Sequence, residues 1–332
     1  MRRVTAALLA LMLALGGCAP LVQRAGRPEL AFQGPRLEQD VFVSFDGARL
    51  GLQRWEPSGE PWAVIIGLHG MNDYANAFHL AAPWWAAQGI ATLAYDQRGF
   101  GRSPGRGIWA GRRLMNEDLR TIVALARQRY RGAVIAVAGV SMGGAAAIDA
   151  FASDQPPAAD RLVLLSPAVW GWSSQPLPNR LALWIAAHTV RGLVVTPPDF
   201  LLQKIHPTDN IDELRRMSRD PLLIWGARPD TLYGLMDTMQ RGWRETDGVA
   251  APVFYLYGAH DEIIPPRPAE QAAGRLKPTD RTAWYAKGYH LLLVDRQAPT
   301  VWADVAAFLR DPAAPLPSGA PPMPGPGKVP NL

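Results

Sequence analysis

Three side chains that together could perform nucleophilic catalysis occur in this sequence: a serine, an aspartate and a histidine. Ser141 is the centre of a Gly-Val-Ser-Met-Gly segment, Asp261 follows a short apolar run, and His290 follows the next such run. A serine hydroxyl becomes a competent nucleophile when a histidine takes its proton and a carboxylate orients that histidine. The sequence therefore predicts Ser141 as nucleophile, His290 as base and Asp261 as the orienting acid.

The segment around Ser141 has the composition of a strand, a tight turn and a helix. Residues 134–140 are apolar and rich in β-branched side chains, as in a buried parallel strand, and the small residues 144–147 open a helix. A Gly-x-Ser-x-Gly sequence in that setting is typical of a nucleophile elbow. The alternative is an ordinary glycine-rich turn, and the acid and base further along the chain favour the elbow.

Both predicted partners of Ser141 have competitors. Glu262 is an alternative acid beside Asp261, and His260 is an alternative base, although it precedes the last predicted strand. His290 directly follows that strand, where the base is expected. We interpret the remaining histidines without strand-end positions as structural or cap residues: His79, His188 and His206. No group of potential ligands has metal-site spacing, so we predict neither a metal nor a cofactor.

Two backbone N–H groups are predicted to bind the oxyanion of a tetrahedral intermediate. The first belongs to Met142, directly after the nucleophile, and the second to Met71, in a His-Gly-Met segment that ends a buried strand. We interpret His69, two residues earlier, as a local hydrogen-bonding residue. The charged, glycine-punctuated segment 96–103 is interpreted as a hydrogen-bonded turn beside the elbow, with a substrate contact as the alternative.

The elements that must position these residues alternate between strand and helix. A hairpin is predicted within 41–55, and buried strands at 63–68, 91–95, 134–140, 161–165, 252–257 and 281–286. This alternation predicts a doubly wound, mostly parallel α/β sheet whose two core parts span residues 38–168 and 247–310.

Residues 169–246 interrupt that alternation with helical segments, proline-rich joints and no confident strand. We interpret them as a helical cap inserted above the carboxyl ends of the strands. Several tryptophans, including Trp170 and Trp184, lie in this cap. They either line an apolar substrate site or pack the cap onto the core.

The composition limits the partners of the chain. The 332 residues are 48% hydrophobic and 19% charged, so the chain can bury a large globular core. The net charge is +5, but the arginines are scattered rather than clustered, and we predict no nucleic-acid partner. Weak attraction to anionic membrane surfaces is compatible with this charge.

The amino-terminal segment indicates export. Residues 1–17 begin with two arginines and continue with an apolar run too short to span a bilayer, which is typical of a signal peptide. The Leu-Gly-Gly-Cys ending resembles the lipobox of bacterial lipoproteins, which implies cleavage before Cys18 and its acylation. The alternative is a cleaved secretory peptide with an incidental cysteine. Ala19 resembles the residue of lipoproteins sent to the outer membrane, on its periplasmic or surface face.

Proline and glycine are frequent at both ends of the predicted body. We interpret residues 18–37 as a tether between the lipid and the body, and residues 311–332 as a disordered tail.

Together these motifs resemble the α/β-hydrolase superfamily, and within it the monoacylglycerol lipase-like, or serine aminopeptidase S33-like, hydrolases. The resemblance covers about residues 38–310 and rests on segments 69–70, 96–103, 140–144, 164–168, 258–265 and 288–290. It implies hydrolysis of carboxylic esters, such as monoacylglycerols or lysophospholipids, through an acyl-enzyme. Segment 71–73 departs from the small-residue, acidic version of that family, and the cap is only loosely similar. An acyltransferase with the same triad and a non-catalytic surface binding module are the alternatives.

Overall fold

A single mixed sheet forms the centre of the molecule. The computed structural model describes residues 19–196, 198, 205–325 and 327, so the predicted signal peptide and Cys18 lie outside the described residues. The strands are β1 (Arg36–Leu37), β2 (Val41–Val43), β3 (Arg49–Trp55), β4 (Ala63–Leu68), β5 (Ile90–Tyr95), β6 (Val134–Val140), β7 (Arg161–Leu165), β8 (Val253–Gly258) and β9 (Arg281–Tyr285).

The strand order confirms the predicted doubly wound, mostly parallel sheet. It runs β1-β2-β3-β5-β4-β6-β7-β8-β9. The first three strands pair antiparallel, β3 pairs antiparallel with β5, and all later neighbours are parallel. The described α-helices are α1 (Ala81–Ala87), α2 (Arg112–Arg129), α3 (Met142–Phe151), α4 (Leu177–Thr189), α5 (Ile211–Ser218), α6 (Pro229–Arg244), α7 (Pro266–Ala273) and α8 (Ala298–Arg310), with short 3₁₀ turns at Ala75–Phe78, Trp172–Ser174 and Thr246–Gly248.

Side chains of the central strands alternate between two hydrophobic cores, one on each face of the sheet. In β4, Val64 and Ile66 belong to the core covered by α2 and α3, whereas Ala63 and Ile65 belong to the core covered by α1 and α8. Every residue of β4, β5 and β8 is buried. A parallel strand buried on both faces requires a nearly continuous apolar sequence, and the sequence has that character here.

The carboxyl ends of the parallel strands share one edge of the sheet. Ser141 directly follows β6, Asp261 follows β8 by three residues, and His290 follows β9 by five. Since β6, β7, β8 and β9 are adjacent in this order, the three residues come to the same edge.

Between β7 and β8 the chain leaves the sheet, and its described part contains α4, α5 and α6. Helix α6 packs closely on α3, because a Cβ on Gly242 would lie 3.1 Å from Cα of Ala145. The region also holds one isolated antiparallel bridge, between Val195 and Ala227. Of the helices described here, none has the length and apolarity needed to cross a membrane.

The described part of the segment predicted as a tether, residues 18–37, lies on the body of the protein at its beginning. We name residues 19–26 the strap. The backbone N–H of Gln23 donates to the Trp109 carbonyl at 2.9 Å, and its side-chain amide donates to the Ile108 carbonyl at 2.7 Å. The Gly26 N–H donates to Oδ2 of Asp46 at 2.6 Å. Proline and glycine prevent regular structure in the strap, but its backbone groups still find partners on the body.

The predicted disorder of the tail is wrong for residues 311–325. The Pro321 carbonyl accepts a hydrogen bond from the N–H of Trp284 in β9 at 2.8 Å, and the N–H of Met323 donates to Oγ1 of Thr282 at 2.9 Å. The Met323 side chain is buried against the core. Prolines donate no hydrogen bond and are excluded from central strands, but their carbonyls can accept from an edge strand, and the tail covers β9 in this way.

Candidate active site

The turn at Ser141 has the strained geometry of a nucleophile elbow. Ser141 has a positive φ of 51°, with ψ of −115°, between β6 and α3. Its N–H donates to the Leu165 carbonyl at 3.0 Å. A Cβ on Gly143 would lie 2.3 Å from the Leu68 carbonyl oxygen, and a Cβ on Gly139 would lie 2.6 Å from that of Gly143. Both glycines are therefore needed for the strand, the helix and β4 to meet around a residue in an unfavourable conformation.

His290 and Asp261 form a buried hydrogen-bonded pair. The Nδ1–H of His290 donates to Oδ2 of Asp261 at 2.8 Å, and the two side chains are 4% and 0% exposed. The other carboxylate oxygen, Oδ1, accepts the N–H groups of Ile263 and Ile264, each at 2.9 Å. Because both oxygens are engaged, the carboxylate has one orientation. It holds the imidazole in the tautomer whose Nε2 can accept a proton.

Ser141 shares the sheet edge with this pair but is not hydrogen-bonded to it. Neither the Ser141 hydroxyl nor Nε2 of His290 hydrogen-bonds to a residue within the described parts of the chain. Catalytic hydrogen bonds are often long without substrate and shorten in the Michaelis complex. The structure thus brings Asp261 and His290 together and leaves the Ser141 hydroxyl and Nε2 of His290 without a partner among the residues that it describes.

The loop after β4 lies against the nucleophile. A Cβ on Gly70 would be 3.4 Å from Cβ and 4.0 Å from Oγ of Ser141. The next residue is Met71, and Met142 is the first residue of α3. Among the described residues, the N–H groups of Met71 and Met142 have no acceptor. Both N–H groups are therefore available to a ligand. Met71 follows Gly70 in sequence and Met142 follows Ser141, so each donor is next to one of the two residues that approach each other here.

His69 fixes the peptide that carries the Met71 N–H. Its Nδ1–H donates to the Gly70 carbonyl at 2.7 Å, while its Nε2 accepts the N–H of Gln97 at 2.9 Å. Burial lowers the pKa of His69 to about 4, so the ring is neutral at pH 7. In a trans peptide the carbonyl and the following N–H point in opposite directions. The Met71 N–H is therefore directed away from His69.

The comparisons with known proteins agree with this architecture. A family model described as serine aminopeptidase, S33, matches residues 59–297. The chain belongs to this family. The monoacylglycerol lipase of Mycolicibacterium smegmatis is 25% identical over 287 residues, covering 81% of this chain and 95% of that protein. The human monoglyceride lipase is 27% identical over 257 residues, covering 75% of this chain and 82% of that protein.

Solved structures of low sequence identity share the fold of this S33 hydrolase. The monoacylglycerol lipase of Paleococcus ferrophilus superposes with a TM-score of 0.62 at 22% identity, covering 78% of this chain and 98% of that chain. A soluble variant of the monoglyceride lipase of Saccharomyces cerevisiae gives 0.66 at 19% identity, covering 86% and 98%. The chain is a monoacylglycerol lipase-like α/β-hydrolase, which confirms the predicted fold class, family and hydrolase activity class.

The alternative acid and base of this S33 hydrolase occupy other positions. Glu262 is exposed, and its Oε2 accepts the N–H of His206 from the cap at 2.7 Å. The His260 ring stacks on Tyr289, with ring centroids 5.1 Å apart, and is exposed. Neither Glu262 nor His260 takes part in the hydrogen bond between His290 and Asp261. The geometry therefore favours Asp261 as the acid and His290 as the base.

The segment 96–103 is held by its own hydrogen bonds, which supports the structural interpretation. Asp96 accepts the N–H groups of Ala75 and Arg102, each at 2.9 Å. Arg98 lies between two carboxylates, with nitrogen–oxygen distances of 2.7 Å to both Asp46 and Asp118. All three side chains of that cluster are at most 4% exposed. The turn thus fastens β5 to α2 and to the hairpin.

Two residues around the site were not foreseen from the sequence. Gln97 binds both the ring and the carbonyl of His69, and the only sequence signal is its place in the charged turn after β5. Asp295 accepts the N–H of Tyr289 at 2.8 Å and so holds the loop just before His290. Burial raises the pKa of Asp295 to about 6. No sequence pattern identifies Asp295, because its role depends on a turn of the folded chain.

The space beside the site is small in this structure. A cavity of about 20 Å³ is lined by Val140 and Leu291, which are the sequence neighbours of Ser141 and His290, and by Met217 among others; no tryptophan lines it. It holds about one water, so an acyl chain could enter there only if α5, which contributes Met217, moved away. Trp170 lines an open groove of about 900 Å³ elsewhere. Trp184 is half-exposed and stacks on His188, with ring centroids 4.4 Å apart.

No metal site is formed by the parts of the chain that the structure describes: they contain no group of three or more His, Cys, Asp or Glu side chains placed to hold an ion.

Proposed function

We propose that this S33 hydrolase cleaves carboxylic esters of lipid-like substrates, such as monoacylglycerols or lysophospholipids, through an acyl-enzyme on Ser141. The observation that carries the proposal is the buried hydrogen bond between Asp261 and Nδ1 of His290, at the same sheet edge as the strained Ser141 elbow. A merely structural turn needs neither an oriented imidazole with a free nitrogen nor a serine held at positive φ.

The reaction follows from these positions. Nε2 of His290 takes the hydroxyl proton as Oγ of Ser141 attacks the ester carbonyl, and the N–H groups of Met71 and Met142 bind the oxyanion. The imidazolium, stabilised by Asp261, then gives its proton to the alkoxy oxygen as the carbon–oxygen bond breaks. Water, deprotonated by His290, attacks the acyl-enzyme and releases the fatty acid and free Ser141.

A lipid-like substrate is supported by the relatives and by the cap. The two curated relatives described above are named as lipases of monoacylglycerols. One face of α4, with spacing i, i+4, i+7 and i+8, is apolar and 46–74% exposed: Leu177, Leu181, Trp184 and Ile185. An exposed apolar helix face of this kind suits contact with lipid.

The proposed location is the outer membrane, with acyl chains on Cys18. Residues 15–18 read Leu-Gly-Gly-Cys, and residues 161–198 contain three arginines, Arg161, Arg180 and Arg191, but no acidic residue, which suits an anionic lipid surface. Nη1 of Arg191 donates to the Ala19 carbonyl at 2.6 Å, so the described chain begins beside the cap. In a bacterial host the protein should partition into detergent, and Cys18→Ser should abolish this. Mass spectrometry that finds an unmodified mature Cys18 would overturn the anchoring.

The activity is tested with purified protein on monoacylglycerols of increasing chain length and on matched amides and lactones. A fluorophosphonate should label Ser141, as located by peptide mass spectrometry, and Ser141→Ala should abolish both labelling and hydrolysis. Hydrolysis retained in folded Ser141→Ala would refute the proposal. Added alcohols distinguish an acyltransferase, because that enzyme would form new esters in preference to free acid.

A further inference from the structure

The loop that carries the Met71 N–H is held from two sides. From the core, His69 binds the Gly70 carbonyl, which belongs to the same peptide as the Met71 N–H. From the cap, the N–H of Ile224 donates to the Asn72 carbonyl at 3.0 Å, two peptides further along the loop. The proposed oxyanion donor thus lies in a peptide that is attached to the core, two peptides before an attachment to the cap.

A cluster of polar side chains fastens the same loop to α5 and the residues after it. The hydroxyl of Tyr74 donates to Oδ2 of Asp220 at 2.8 Å, and Nη1 of Arg216 reaches the same oxygen at 3.2 Å. Arg216 also binds Glu213, whose Oε2 lies 3.4 Å from Nε2 of His79. The cluster therefore reaches back to the loop at two places, Tyr74 and His79.

The cap segment that makes these contacts is itself fixed. The Asp220 side chain accepts the N–H of Leu222 at 3.0 Å. The guanidinium of Arg106, from the turn after β5, donates to the carbonyls of Pro221, Leu222 and Leu223 at 2.9–3.0 Å. A segment with so many partners has little freedom to follow the loop, so it can impose a position on it.

The loop has a left-handed backbone conformation at Asn72, next to Met71. Asn72 has a φ of 64°, which asparagine adopts more readily than most other non-glycine residues. In this conformation the Asn72 carbonyl accepts the hydrogen bond from the Ile224 N–H of the cap.

We propose that the cap positions the oxyanion donor, with Tyr74 and Asp220 as positioning residues, so that the Met71 N–H is correctly placed only while the cap is seated on the loop. This inference rests on the proposed ester hydrolysis. Loss of an oxyanion donor costs roughly 10²–10³ in rate, and displacements of about 1 Å are enough to lose much of that. The cap therefore contributes to kcat as well as to substrate binding.

The test uses the full mature chain and a short, soluble ester that needs little contact with the cap. Tyr74→Phe removes one hydroxyl and should lower kcat about tenfold while KM stays within about twofold. The rate of Ser141 phosphonylation should fall by the same factor, because the phosphoryl oxygen uses the same donors. Tyr130→Phe is the matched control: its hydroxyl donates to Glu56 at 2.7 Å, at the opposite end of β6.

A second pair of variants separates positioning from folding. Asp220→Asn keeps a hydrogen-bond partner for Tyr74, because its oxygen can stay on the Leu222 N–H while the Tyr74 hydroxyl accepts from its amide NH₂, and it should retain most of kcat. Asp220→Ala removes the contacts to Tyr74, Leu222 and Arg216 and should lose at least as much as Tyr74→Phe. The double variant Tyr74→Phe/Asp220→Ala should be no slower than Asp220→Ala, since that change already breaks the Tyr74 contact. Thermal unfolding of each variant confirms that it is folded.

The possible results separate two failures. An active parent with unchanged kcat and phosphonylation rate in folded Tyr74→Phe and Asp220→Ala would overturn the positioning role and leave ester hydrolysis standing. A rise in KM alone would also overturn it, because that result means a binding role. A parent that hydrolyses no ester, or an active Ser141→Ala, would overturn the proposed function itself.

Discussion

Gln97 binds His69 at two points: its N–H donates to Nε2 of the ring and its side-chain amide donates to the His69 carbonyl, both at 2.9 Å. The two residues directly follow the neighbouring strands β4 and β5, so this contact joins two strand ends. It also leaves Nδ1 of the ring as the donor to Gly70, which orients the peptide of the proposed oxyanion donor.

Gln97→Leu should lower the free energy of unfolding by about 1–3 kcal/mol, because the buried His69 carbonyl loses its donor. It should also lower kcat, since the loop beside Ser141 loses part of its support. Urea denaturation and steady-state kinetics measure the two effects. Gln155→Leu, at an exposed position, is the control and should change neither. A fully stable and active Gln97→Leu would show that the contact is dispensable.

Asp261→Asn should lower kcat about 10⁴-fold while the fold is kept. Oδ1 of the asparagine can still accept the N–H groups of Ile263 and Ile264, which would turn its amide NH₂ toward His290. Nδ1 must then accept, the ring proton moves to Nε2, and His290 can no longer deprotonate Ser141. Glu262→Gln is the control and should retain activity. If Glu262→Gln instead removed activity, the acid would have been misassigned.

The proposed triad of Ser141, His290 and Asp261 predicts that losses of hydrolytic activity are not additive. Adding His290→Ala or Asp261→Asn to Ser141→Ala should cause little further loss, because the three residues act in one proton transfer.

Asp73 should make the stability of the chain depend on pH. Burial raises the pKa of Asp73 from the usual 3.8 to about 7, although its carboxylate accepts the Tyr74 N–H and lies near Arg216. The folded state therefore binds the proton more tightly than the unfolded state, and stability falls as pH rises from about 4 to about 7. Asp73→Asn should melt at a higher temperature than the parent at pH 8 and at nearly the same temperature at pH 4.

Asp212→Asn, on the exposed side of α5, controls for the loss of a surface charge. A difference in melting temperature between Asp73→Asn and the parent that is the same at both pH values would contradict the assigned titration.

Arg98→Met should destabilise the chain by about 3–5 kcal/mol at pH 7, because it leaves Asp46 and Asp118 buried without their cation. The difference in stability between Arg98→Met and the parent should become smaller as the pH falls toward 4, since the two carboxylates can then take up protons. Denaturant unfolding at several pH values measures this. Arg131→Met, at an exposed position, should have no comparable effect. A small, pH-independent loss for Arg98→Met would mean that the cluster is solvated.

The strands and the strand-end residues could be predicted because their signals are local. Buried parallel strands need short apolar runs, and the glycines around Ser141 are required by contacts within a few residues of the turn. The positions of the strap and the tail and the contacts of the loop after β4 could not be predicted in the same way. Gln23 hydrogen-bonds to Trp109, Pro321 to Trp284, and Tyr74 to an aspartate 146 residues away. Composition states only that such segments are irregular, and it does not identify their distant partners.

The strap changes what an acyl anchor would do mechanically. A free chain of the length of residues 18–37 would act as a leash with a reach of roughly 25 Å, on which the enzyme could turn in any direction. The chain is instead bound to the body from Ala19 onward, so a lipid on Cys18 would have one residue of slack, about 4 Å. Such an anchor would restrict the tilt of the enzyme as well as its distance from the membrane. It would hold the side of the body that carries Ala19 and Arg191 next to the bilayer.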